Sequence, residues 1–226
     1  MVSASTLLDG PGGWSLSPEG AAVCRDERTA VIADVHLGYE WARGASGDCL
    51  PAHSLDETLA KLAGLLARAT IERLVVAGDL VESPAPCRRT AEDIARLTRW
   101  LADRGVSLVA LAGNHDPVGA PGSLLTMEVS GWTIGHGHRP IAAPRTISGH
   151  HHPVLRAGRV CAPCFLVGPD RIVLPAFSSN AAGWNILAET LPFKWVGEGP
   201  RCIAAADDSL LDFGPRSGLL KRFSFT

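Results

Sequence analysis

Three short, continuous apolar runs punctuate the first half of the chain. Residues 31–33 (Val-Ile-Ala) end at Asp34, residues 74–77 (Leu-Val-Val-Ala) end at Gly78-Asp79, and residues 108–112 (Leu-Val-Ala-Leu-Ala) end at Gly113-Asn114. Runs without alternation suit strands buried on both faces of a parallel sheet. Between them the apolar positions switch to helical spacing. Leu55, Leu59, Leu62, Leu65, Leu66 and Ala69 recur after Ser54 and Glu57, whose spacing predicts a capping box at the helix start. Ile94, Leu97, Trp100 and Leu101 form a second stripe behind a weaker Thr90/Asp93 cap, and Gly105 stops it at the C′ position. The order is β-α-β-α-β with right-handed crossovers. After residue 130 the pattern changes. Short strands are expected at 131–134, 144–148, 159–167 and 171–177, forming a second, partly antiparallel sheet packed on the first. Residues 178–226 show no readable pattern. About a dozen N-terminal residues (1–12) are expected to be loose. The expected organisation is one domain over residues 1–226.

Composition narrows the class. The 226 residues are 46% hydrophobic and 19% charged, enough for a core without disulfides and incompatible with general disorder. No apolar run approaches the ~18 residues of a membrane span. The opening MVSASTLLDGPGG lacks a basic start and an apolar stretch, so a cytoplasmic protein with no membrane partner is expected. The net charge is −2, divided as −4 over residues 1–113 and +2 over the rest, so no polybasic footprint is present. Six cysteines make no disulfide framework. Cys161 and Cys164 form a single CxxC, read as free thiols, with a redox or zinc role as the other option. Phosphate-loop, nucleophile-elbow and dinucleotide-loop fingerprints do not occur.

The chemistry lies at the strand ends. They carry Asp34-Val35-His36, then Gly78-Asp79, then Gly113-Asn114-His115-Asp116, and later His136 and Gly149-His150-His151-His152. Six of the eight histidines fall between His115 and His152. In open α/β sheets the carboxyl ends of strands converge on the ligand. Carboxylate, imidazole and amide oxygen together suit Mn, Fe, Zn, Ni or Co rather than a thiolate metal. In extended backbone Asp34 and His36 point the same way, as do His150 and His152, while His151 points elsewhere. Asp79 is the natural carboxylate to bridge two ions. Gly135-His136-Gly137-His138 competes with Gly149-His150-His151-His152 for the paired-histidine role. The order of blocks favours His136 as the upstream ligand and His150/His152 as the pair, leaving His138 beside the ligands or facing substrate.

Taken together these blocks resemble the calcineurin-like metallophosphoesterase superfamily. The stretch Ala33-Asp34-Val35-His36-Leu37-Gly38 and the later Val173-Leu174-Pro175-Ala176-Phe177 are similar to small bacterial and archaeal phosphoesterases related to the SbcD/Mre11 nucleases. Some of those are encoded beside a DNA ligase and a helicase, which makes such DNA-processing partners an expectation. Two positions depart from that pattern: Tyr39 stands where many members have Lys, and Glu82 where many have His. The resemblance implies a four-layer αββα sandwich, two mixed β-sheets flanked by helices. It implies two divalent ions, Mn²⁺ first. Metal one would take Asp34, His36, Asp79 and His152, and metal two would take Asp79, Asn114, His136 and His150. His115 would contact the phosphate and protonate the leaving oxygen, with Asp116 orienting it. The implied reaction is in-line attack on a phosphodiester by a hydroxide bridging the ions, on a DNA end, nucleic acid or nucleotide-like substrate. A phosphomonoesterase or protein phosphatase is the alternative, and a non-catalytic metal-binding module the other. The resemblance says nothing of oligomeric state.

Overall fold

The computed structural model, which describes residues 7–117, 124–195 and 199–223, explains why the apolar runs are unbroken: each strand serves two cores. In chain order the first sheet comprises β1 (Leu8–Asp9), β2 (Trp14–Leu16), β3 (Ala22–Cys24), β4 (Thr29–Ile32), β5 (Arg73–Val76) and β6 (Ser107–Ala110). Helices α1 (Tyr39–Ala45) and α2 (Ser54–Arg68) lie between β4 and β5, and α3 (Arg88–Ala102) lies between β5 and β6. The strands are adjacent in numerical order, with β4, β5 and β6 parallel and β1 to β4 antiparallel.

The second sheet is built from β7 (Thr126–Val129), β8 (Trp132–Gly135), β9 (Thr146–Ser148), β10 (Pro153–Ala157), β11 (Val160–Val167), β12 (Arg171–Val173), β13 (Trp184–Asn185), β14 (Arg201–Ala206) and β15 (Ser209–Pro215). Its main path runs β13-β10-β11-β12-β9-β8-β7, and the β14–β15 hairpin attaches to β11. It is mixed, with β8, β9 and β12 parallel neighbours and most other pairs antiparallel. Helix α4 (Arg216–Phe223) follows.

Period-two alternation sorts the side chains into three cores between four layers. Ala30, Ile32, Leu74 and Val76 face α2 and α3, meeting Leu62, Leu65, Leu97 and Leu101. Their neighbours Val31, Ala33, Val75 and Ala77 face the second sheet, meeting Trp132, Ile134, Ile147, Phe165 and Ile172. On the far side of the second sheet, Cys164, Leu166, Val173, Cys202 and Ala204 pack against Leu219 of α4 and the segment carrying Trp184, Phe193 and Trp195. This is the αββα sandwich, with its fourth layer reduced to one short helix and a packed loop.

Several expectations change. Of the N-terminal residues expected to be loose, 1–6 lie outside the described region. Leu7 is buried and Leu8–Asp9 pairs with β2, because the sheet extends past the first apolar run. The Ser54/Glu57 capping box is not formed. Glu40, buried on α1, accepts the His53 N–H at 2.7 Å, the Ser54 N–H at 2.6 Å and the Ser54 hydroxyl at 2.7 Å. Burial alone would raise its carboxyl, but these donors hold it below the usual range. A carboxylate fourteen residues upstream thus caps α2 and complements its dipole. The stop after α3 is as expected: Gly105 (φ +72) donates to Ala102 O and Val106 to Leu101 O, closing a Schellman turn. The unread C-terminal stretch holds β13, β14, β15 and α4. Cys161 and Cys164 sit on β11, where a spacing of three puts them on opposite faces, one exposed and one buried.

Candidate metal centre

All five motif blocks lie at the carboxyl ends of strands. Asp34 and His36 follow β4, Asp79 follows β5, Asn114, His115 and Asp116 follow β6, His136 follows β8, and His150 and His152 follow β9. Beyond the strands, residues 34–37 run alongside 78–80 through Asp34 N–H to Gly78 O, His36 N–H to Asp79 O and Leu37 N–H to Leu80 O. The Leu-Pro-Ala-Phe segment closes the other side, with Phe177 N–H on Ala33 O and Ser178 N–H on Asp34 O. The site therefore sits where the two sheets meet.

The backbone there is strained. Asp34, His36, Asp79, His150 and His152 all have positive φ, between 44° and 69°. Side chains with a Cβ adopt this region rarely and at a cost, so the surrounding packing must enforce it. Two glycines make room. Gly78 has φ +86, and a Cβ there would lie 2.5 Å from the His136 ring. Gly113 serves by close approach rather than by turning, since a Cβ would lie 2.0 Å from Asp79 Oδ1.

The sheets deliver complementary charge. Asp34 is 0% exposed, Asp79 2% and His136 2%. His136 Nε2 stands 2.9 Å from Asp34 Oδ1 and 3.2 Å from Asp79 Oδ2. Burial pushes the His136 imidazole down, but the two carboxylates outweigh it and raise its pKa to about 9. Burial likewise opposes ionisation of Asp34, yet His136 and His152 hold it far below the carboxylate range. Asp79 is also lowered against its burial, by His136 and by the His115 N–H that donates to it at 2.9 Å.

Three groups of ligand-type atoms each converge within 4.8 Å: Asp34, His36 and His152; Asp34, Asp79 and His136; and His36, Glu82 and His115. Of the sequence-derived residues, Asp34, His36, Asp79, His136, His152 and His115 are thus brought together. His150 lies outside these groups. It donates its N–H to Asp34 at 2.9 Å, and its ring centroid is 4.9 Å from that of His136. Asn114 is exposed on the same turn as His115. His138 stands behind His136, with the two Nδ1 atoms 2.9 Å apart. His151 turns away and stacks on Phe193 at 4.3 Å.

Asp116 does not reach His115 through any of its hydrogen bonds here. Its carboxylate accepts the N–H groups of Asp79 (2.9 Å), Val81 (3.2 Å) and Gly113 (2.8 Å), tying the turn after β6 to the turn after β5. His115 takes its orientation from the Glu82 carbonyl, to which its Nδ1–H donates at 2.7 Å. Glu82 is the residue sequence reasoning undervalued. Its carboxylate lies 2.9 Å from His36 Nδ1, and the available signal was its place two residues past Gly-Asp-Leu. Tyr39 and Glu82, the two departures from the family pattern, line one cavity of about 430 Å³ with His36, His115 and His152.

The arrangement fits a cation. Both ring nitrogens of His36 and the Nε2 of His152 are buried without a hydrogen-bond partner, although carboxylate oxygens lie close by. Buried polar atoms left in this way are costly unless something else engages them. An oxygen-and-imidazole donor set around two buried carboxylates is suited to divalent transition metals.

Comparison with known proteins agrees. The profile of the calcineurin-like phosphoesterase family matches residues 27–143, a span holding Asp34, His36, Asp79, Asn114, His115 and His136. Over 89 residues the chain is 33% identical to the DNA double-strand break repair protein Mre11 of Methanopyrus kandleri. That alignment covers 39% of this chain and 19% of the relative, so the chain spans about a fifth of that protein's length. The crystal structure of the Pseudomonas putida nuclease MPE is similar in fold, with a TM-score of 0.68 and 24% identity, over 91% of this chain and 99% of that one.

Proposed function

Because the chain belongs to the calcineurin-like phosphoesterase family, we propose that it is a metal-dependent phosphodiesterase acting on nucleic-acid or nucleotide-like substrates. The observation that supports this best is the buried pair Asp34 and Asp79 with His36, His136 and His152 around it, where both ring nitrogens of His36 and the Nε2 of His152 lack hydrogen-bond partners. The matched stretch of the repair protein favours a nucleic-acid substrate. Asp34, His36, Asp79 and His152 would hold one divalent ion, and Asp79, Asn114, His136 and His150 a second. Mn²⁺ is the first choice, with Fe, Zn, Ni and Co suited to the same donors. Ions so held supply a hydroxide near neutral pH and positive charge at the phosphoryl oxygens.

The chain's own residues do the rest. His115 lines the cavity beside the cluster, and its Nδ1–H is committed to the Glu82 carbonyl. Its Nε2 is then the nitrogen that protonates the leaving oxygen. Asp116 keeps His115 and Asp79 in register by holding the backbone of both turns. Glu82 Oε2, beside His36 Nδ1, leaves the opposite nitrogen of that ring for the metal.

The test is hydrolysis of bis-p-nitrophenyl phosphate and p-nitrophenyl phosphate by metal-stripped protein with Mn²⁺ restored. The diester should be cleaved faster, in proportion to added metal, and Asp79→Ala should abolish the reaction. Metal bound at full stoichiometry with neither compound cleaved would replace this reading with a binding module, and faster monoester cleavage would replace it with a monoesterase.

A further inference from the structure

A second cavity of about 550 Å³ borders the cluster at His150 and shares His151 with the first. Its charge is one-sided. Arg139, Arg171 and Lys194 line it with His138, His150 and His151, and among the described residues no carboxylate lines it. The whole chain is net −2, so this concentration of cations is local. A concave surface of one sign gathers ligands of the other.

The lining is held in place by specific contacts. Arg171 opens β12, donates to the Lys194 carbonyl at 2.9 Å and lies over the Trp195 ring at 5.6 Å. Phe193 stacks on His151. These contacts pin the segment 193–195 against the second sheet and set Arg171 and Lys194 in the lining of one cavity. Buried Thr146 and Ser148 lie on its floor. Arginine and lysine residues gathered in the lining of one cavity suit phosphate oxygens. The first cavity, by contrast, holds Glu82 with His115 and has no Lys or Arg among its lining residues.

We propose that the second cavity is a phosphate site for the phosphate next to the scissile one, on the part of the substrate that lies away from His115. The inference rests on the phosphodiesterase reading and narrows it to substrates carrying at least two phosphates. The second phosphate is either an internal linkage of a strand or a terminal phosphate. The chemistry of recognition is the same for both.

The experiment uses the Mn²⁺-loaded full chain and short thymidine oligonucleotides. The substrates are a dinucleoside monophosphate, the same with a terminal phosphate, a trinucleotide, and the two trinucleotides in which either linkage is a neutral methylphosphonate. For the remaining cleavable linkage, one methylphosphonate isomer should lose about tenfold in kcat/KM against the fully charged trinucleotide. That ratio should shrink to below about threefold in the double variant Arg139→Ala, Lys194→Ala. Binding of a fluorescent trinucleotide to the metal-free protein, followed by anisotropy, should show a shallower salt dependence in the variant, by about one unit of slope per lost contact. A gain from the terminal phosphate equal to that from the internal one would assign the site to nucleotide ends, and a gain from the internal linkage alone would assign it to strands. Cleavage of both methylphosphonate isomers at the charged rate, or the same ratio in the double variant as in the native chain, would overturn the proposal while leaving the phosphodiesterase reading intact. Failure to cleave any diester with metal bound would overturn both.

Discussion

The first sheet brings carboxylates to the centre, Asp34, Asp79 and the nearby Glu82 and Asp116, whereas the second brings imidazoles, His136, His138, His150 and His152. Each contribution is unfavourable by itself. Two buried carboxylates repel and are poorly solvated, and buried histidines resist charging. Placed against each other they compensate: His136 is held charged between Asp34 and Asp79, and both carboxylates are held ionised. The centre is therefore a property of the docked pair of sheets and of neither sheet separately. Divalent cations would take over the compensation that the His136 proton provides without them.

The most severe test of this division of labour concerns His115, which comes from the first sheet's side. His115→Ala should lower kcat by about 10²–10⁴ while leaving stoichiometric Mn²⁺ binding in calorimetry unchanged. Loss of metal instead would make it a ligand. Within the second sheet the contrast is between neighbours. His136→Ala should weaken Mn²⁺ binding about a hundredfold or more by equilibrium dialysis, and His138→Ala about tenfold or less. The reverse order would exchange their roles.

A third variant probes the helical side of the first sheet. Glu40→Gln should destabilise by about 1–3 kcal/mol in urea melts, since α2 loses a charged acceptor for three donors. A melt within experimental error of the native one would remove Glu40 as the cap.

The last expected effect is on pH dependence without metal. His136 has a folded pKa of about 9, above the unfolded value near 6.5. Its contribution to stability is complete below about pH 6.5 and is lost as pH rises through 9. Asp34 is lowered, so its contribution is present above the ordinary carboxylate range and is lost in acid. Denaturant midpoints of metal-free protein should fall between pH 6.5 and 10, and Mn²⁺ should flatten the profile. A flat metal-free profile would break the compensation argument.

The two sheets also differed in how plainly the sequence announced them. Parallel β4 and β5 are buried on both faces, and edge strand β6 packs Leu108 and Val109 partly against the two cores, so 31–33, 74–77 and 108–112 stand out as unbroken runs. β10 alternates over only five residues and no residue of β15 is buried, so neither shows a readable apolar pattern. The motif blocks were legible because each combines a rare residue type with a strand end. What stayed hidden was set by contacts distant in sequence. Glu40 caps a helix fourteen residues on, Glu82 meets His36 across two strands, and Arg171 and Lys194 meet only through the packing of Trp195 and Phe193. Arg145 and Arg156, closer in sequence to the histidines, line neither of the two cavities described above.

The position of the centre on the seam between the sheets bears on when a newly made chain acquires it. A ribosome releases the carboxylates of the first sheet before residues 136–152 exist outside the exit tunnel. The turn at Asp34 gains its contacts with Phe177, Ser178 and the late histidines only after those residues have followed. The full set of candidate ligands therefore exists only once residues up to 152 have been added. A copy truncated before residue 136 would lack every imidazole that the second sheet supplies to the centre.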